Sequence, residues 1–132
     1  MALSDSELEH LCSAYLSYQT AFQANDGKGM ERHEDFWAVQ QLMLGSSGSA
    51  DPEDAWRAIR HILAQSPSDE ILSVLAAGPL EDLIQYAGDD FIGRIEVAAR
   101  QDPTFRELLS GVWETGKPDV WSRIAKARGT SH

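Results

Sequence analysis

The sequence predicts an all-α protein, a compact bundle of about eight helices, on three observations. Apolar residues recur three and four positions apart along most of the 132 residues, the spacing that lines one face of a helix. The five prolines, Pro52, Pro67, Pro79, Pro103 and Pro118, stand where a helix is due to begin, the one helical position that tolerates a missing N–H. No segment alternates apolar and polar residues for long enough to suggest a strand.

Helix one opens on Ser4 and Glu7, which have the spacing of a capping box, and carries Leu8, Leu11, Cys12, Tyr15 and Phe22 on one face, widened by Leu16 and Tyr18. It is expected to end near Asn25, before the turn Asp26, Gly27, Lys28, Gly29. Helix two bears Phe36, Trp37, Val39, Leu42, Met43 and Leu44. Phe36 and Trp37 point about 100° apart, so both cannot face one core centre, and Trp37 is a candidate for a rim or an interface. Residues 45–50, GSSGSA, read as a flexible loop inside a single domain spanning residues 1–132, with N-terminal helices over 1–44.

Asp51 and Pro52 then start helix three, with Glu53 and Asp54 in its first turn and Ala55, Trp56, Ile59, Ile62 and Leu63 toward the core. Helix four is expected over about 67–77 and helix five over about 79–87. Between them Gly78 and Pro79 read as a stop and a start, making a corner between two buried helices. Helix six covers about 90–101, helix seven about 103–113 and helix eight about 118–128. Trp56, Trp113 and Trp121 fall on apolar faces as core residues, and the indoles of Trp113 and Trp121 are placed to pack on each other. Residues 51–132 can be paired into three helical hairpins, comparable to a short HEAT-like stack, or can form an irregular bundle.

Composition narrows the function. Residues 1–66 carry ten acids and four bases and residues 67–132 eleven acids and seven bases, so a formal charge of −10 is spread over both halves. A surface of that sign repels nucleic acid and anionic lipid. No apolar run approaches the roughly 18–20 residues that span a bilayer, so no membrane partner is expected and the protein is placed in the cytoplasm. The lone Cys12, on an apolar face, reads as a small core residue in a reducing compartment.

No catalytic constellation is recognisable, and the protein is expected not to be an enzyme and to need no cofactor. His10, His33, His61 and His132 lack metal-ligand spacing, and His33 with Glu34 and Asp35 reads as a polar first turn rather than half a metal site. Gly27–Gly29 lacks the spacing of a phosphate loop. Glu81 and Asp82, and after them Asp89 and Asp90, with Glu96 further on, have two readings. As first-turn residues of helices five and six they complement the helix dipole. As an acidic patch they would meet Lys or Arg of a partner. Catalytic pairing of these carboxylates would need burial in one pocket.

From Asp51 onward the succession LAAGPLEDLI, FIGRIEVAARQDPTFRELLSGVW and VWSRI resembles an uncharacterised bacterial family of all-helical domains, in which the AAGPLEDL corner and a DP-x-F-x-x-LL-x-GVW segment recur. The resemblance covers about 80 residues, implies the helical fold and carries no catalytic residues, and the first 50 residues read as more variable helices. In size and charge the chain is also similar to immunity proteins that neutralise secreted bacterial toxins. The expected function is therefore protein–protein interaction with a basic partner, a toxin or effector, through Glu81, Asp82, Asp89, Asp90 and Trp37. A homo-oligomeric helical scaffold is the alternative.

Overall fold

The computed structural model describes residues 3–42 and 51–128, Glu31 by its backbone alone, and every described element is helical. The chain divides into two compact units, Met1–Leu72 and Ser73–His132. The loop expected over 45–50, and Met43 and Leu44 of helix two, lie outside the described residues.

In the first unit α1 (Asp5–Asn25) packs against α2 (Phe36–Leu42) and α3 (Pro52–Leu63), with a 3-10 turn over Met30–Arg32. The capping box is formed as expected: the Glu7 amide donates to Ser4 Oγ at 3.1 Å and the Ser4 amide to Glu7 Oε1 at 2.9 Å. The bond from the Ser4 amide stabilises the ionised carboxylate and does most to lower the Glu7 pKa. Asp26 closes α1 in the left-handed conformation, φ 51°. Leu8, Leu11, Cys12, Tyr15 and Tyr18 of α1 are buried, as are Ile59, Ile62 and Leu63 of α3. The Cys12 thiol donates to the Ala58 carbonyl at 3.7 Å, and burial pushes its pKa up to about 11, so it is an inert core group.

A polar clasp that sequence spacing does not reveal ties the start of the chain to α3. Asp54, only 8% exposed, accepts the Leu3 amide at 3.1 Å, and the Arg57 guanidinium reaches the Leu3 carbonyl at 2.8 Å. The same guanidinium bonds Asp54 and Asp5, each at 3.3 Å.

The Gly78–Pro79 corner is not formed. From α4 (Asp69–Leu75) the chain runs through a π turn (Ala76–Leu80) directly into α5 (Glu81–Gln101). Leu75, Leu80 and Glu81 all keep right-handed helical angles, and the Glu81 amide donates to the Ala76 carbonyl, five residues back. The wider turn suits a proline: it needs no N–H from Pro79 and relieves the clash of the ring with the carbonyl four residues back. Burial on both sides of the turn, at Leu75, Ala76, Leu80 and Leu83, favours continuing the helix over turning away.

Gly78 thus serves no left-handed turn, and a Cβ added there meets nothing within 4 Å. Replacing Gly78 with Ala is expected to stabilise the protein by about 0.4–1 kcal/mol, by reducing the entropy of the unfolded chain. A raised denaturant midpoint checks this; a helix-stopping glycine would give a lowered one.

The boundary expected between helices five and six is a kink rather than a loop: Ala87 alone leaves helical geometry, at φ −140°, ψ 22°. In the second unit α6 (Pro103–Leu109) and α7 (Pro118–Ala127) both pack against α5, which makes α5 the axis of that unit. Three of the five prolines, Pro52, Pro103 and Pro118, begin helices as expected. Pro67 precedes α4 by two residues, and Pro79 lies within the π turn.

Candidate interaction surface

The second unit brings the carboxylates of α5 against the connection between α6 and α7. Helix α6 ends sooner than its apolar spacing suggests. After Leu109 the backbone tightens, with the Gly111 amide bonded to the Leu108 carbonyl at 3.0 Å and the Val112 amide to that of Leu109 at 3.2 Å. Bonds three residues apart advance about 120° per residue instead of 100°, so positions beyond them fall out of phase with the helix stripe. Val112 is still buried, but Trp113 is turned outward and is 77% exposed. This corrects the expectation of a core Trp113. Among the described residues it makes no ring contact, with Trp121 or any other aromatic group.

The connection is held at four points. Arg128 donates to the Val112 carbonyl at 3.1 Å. The Trp113 amide donates to Glu81 Oε1 at 3.1 Å. Gly116, at φ 75°, brings its Cα so close to α5 that a Cβ would stand 3.1 Å from the Ile84 carbonyl oxygen. The Lys117 ammonium is bound by Asp89, whose hydrogen bond and charge raise the lysine pKa. The connection therefore follows α5 from Glu81, past Ile84 and Gln85, to Asp89, across the kink at Ala87.

Glu81 and Asp89 therefore hold the two ends of the same short connection. Asp90 is exposed and Asp82 half-buried, each one position further round the helix than its neighbour. Glu114, beside the indole in sequence, is exposed. The dipole reading does not hold for Glu81 and Asp82, because helical bonding passes through the π turn and leaves no set of free N–H groups there. Glu96 is engaged elsewhere: Arg123 of α7 grips it in a fork, at 2.9 and 2.5 Å, and that bond holds its pKa below the usual carboxylate range.

Trp37 belongs to the first unit, half-buried, with His10 stacked on its ring at 5.3 Å between centroids. Phe36 turns instead to Tyr18, 5.6 Å away, so both aromatics of helix two lie against α1. His33 accepts the Asp35 amide on Nδ1 at 3.0 Å and meets the Tyr18 ring edge-on. Among the described residues no group of three potential metal ligands converges, and no helix is long and apolar enough to cross a membrane.

Sequence reasoning missed two features. Tyr86 of α5 is 57% exposed; its signal is that it falls off the stripe made by Leu83, Ile84, Ala87 and Phe91. In the first unit a shallow groove of about 420 Å³ is lined by Asp5, Leu8, Trp56, Arg57, Arg60 and His61. Its cations are used locally: Arg57 by the clasp, and Arg60 by the Trp56 ring, 5.5 Å away.

Fold and surface together define an all-helical protein whose second unit displays an exposed indole on a connection held by carboxylates. The chain belongs to DUF6869, a family of unknown function, whose model matches residues 25–132. The match takes in residues 25–50 as well as the segment from Asp51 that carries the resemblance. No curated protein and no solved structure matches the chain.

Proposed function

We propose that the protein is a protein–protein interaction module that takes a basic protein partner on the acidic side of its second unit. In its most concrete form it is a cytoplasmic immunity-type inhibitor of a basic toxin or effector, acting without catalysis or cofactor. The observation that carries this reading is the connection 113–117, fixed along α5 by Glu81 and Asp89 so that Trp113 is displayed rather than buried. A backbone already fixed before binding has less ordering entropy to lose when its aromatic side chain docks, which suits an interface anchor. The carboxylates around it speed encounter with a positive partner. The separate duties of Glu81, Asp89 and Glu96, each tied to a different neighbour within the chain, count against one shared catalytic pocket.

The test is co-expression with a basic protein encoded beside the gene. The expected results are rescue of growth and an association rate that falls steeply with salt. Reversing charge at Asp90 and Glu114 to Lys is expected to slow association about 10-fold. Absence of any complex and of any rescue with every such neighbour overturns the inhibitor. A second reading, a homo-oligomeric scaffold, draws on the same exposed Trp113. Light scattering that finds a dimer, dissociated by Trp113→Ala, would favour it.

A further inference from the structure

We infer that Trp113 is the receptor for an arginine side chain of the basic partner, the guanidinium lying on the exposed indole face with the neighbouring carboxylates beside it. This rests on the proposed interaction with a basic protein and names the group that docks.

The chain itself supplies the pattern. Each of the other three indoles carries a nitrogen-bearing planar group over its face. Arg60 lies 5.5 Å from the Trp56 centroid and Arg128 4.9 Å from that of Trp121, while His10 stacks on Trp37 at 5.3 Å. Phe91 is covered in the same way by Arg94, at 4.9 Å. Trp113 is the indole left bare, and it is the most exposed large apolar side chain among the described residues.

Charge favours a positive group over it. Lys117 already offsets Asp89 and Arg128 is held at the Val112 carbonyl, but Glu81 is bonded to the backbone of Trp113 itself, Glu114 follows it in the chain, and Asp90 is exposed further along α5. A second copy of the chain meeting this face would set its own carboxylates against these, on top of a charge of −10 on each copy. Arginine suits the site better than lysine. Its planar, weakly hydrated guanidinium stacks on an aromatic face and still directs N–H groups in its plane toward carboxylates, whereas an ammonium stays hydrated.

The experiment uses the full chain labelled with nitrogen-15, whose four tryptophans give up to four indole N–H signals, that of Trp113 being assigned by its loss in Trp113→Phe. The probe is a capped ten-residue peptide of alternating Arg and Gly, with Lys and citrulline versions as controls, at low salt. The expected result is a saturable shift of the Trp113 signal with the Arg peptide, at least about 3-fold tighter binding than with Lys, and no binding with citrulline. Trp113→Ala is expected to weaken Arg-peptide binding about 3–10-fold without moving the thermal midpoint, and Trp113→Phe to weaken it less.

Equal binding of Arg and Lys peptides overturns the arginine assignment. Binding that leaves the Trp113 signal unmoved overturns Trp113 as the receptor and leaves the basic-partner reading standing. Failure of both cationic peptides to bind anywhere on the protein overturns the receptor and counts against that reading as well. A dimer that dissociates on Trp113→Ala assigns the indole to a second copy and overturns the proposal.

Discussion

Replacing Leu75 with alanine is expected to destabilise the protein by about 2–5 kcal/mol, read as a lowered denaturant midpoint. The side chain is fully buried at the last position of α4, immediately before the π turn. Removing three carbon groups forfeits about 0.8 kcal/mol each in transfer free energy, and the cavity left behind adds to that. A loss below about 0.5 kcal/mol, the range of ordinary surface substitutions, would place Leu75 outside the core.

Replacing Gly116 with alanine is expected to cost about 1–3 kcal/mol and to undo the display of Trp113. Two penalties act together. The left-handed φ of 75° is unfavourable for any residue with a Cβ, and that Cβ would stand 3.1 Å from a backbone oxygen that cannot swing aside. The connection would lift from α5, weakening the bond from the Trp113 amide to Glu81 and the pair between Lys117 and Asp89. Native-state hydrogen exchange at the Trp113 amide is expected to quicken about 10-fold or more. Unchanged exchange and stability would show that the connection does not depend on this approach.

The helix starts were legible because each is a local contest over a few backbone N–H groups. Ser4 with Glu7, Asp51 with Pro52 and Asp102 with Pro103 satisfy or remove those donors within a few residues, whatever lies elsewhere. The candidate site was legible only in part. Glu81, Asp82, Asp89 and Asp90 stand out as acids, but their duties depend on which segment runs beside them, and that segment is more than 20 residues away in the chain. Trp113 was misplaced because the spacing of Phe105, Leu108, Leu109 and Val112 continues through it, while the backbone does not.

By itself the sequence determined the helical class, most helix starts, the inert Cys12 and the negative field of the molecule, because periodicity, capping and charge are properties of short stretches or of the whole composition. Only the tertiary structure decided that Gly78 and Pro79 continue a helix, since burial of Leu75, Leu80 and Leu83 outweighs the local preference of Gly-Pro for a break. It alone decided that Trp113 is displayed, because that depends on a change of helical pitch after Leu109 and on distant groups of α5 holding the backbone in place.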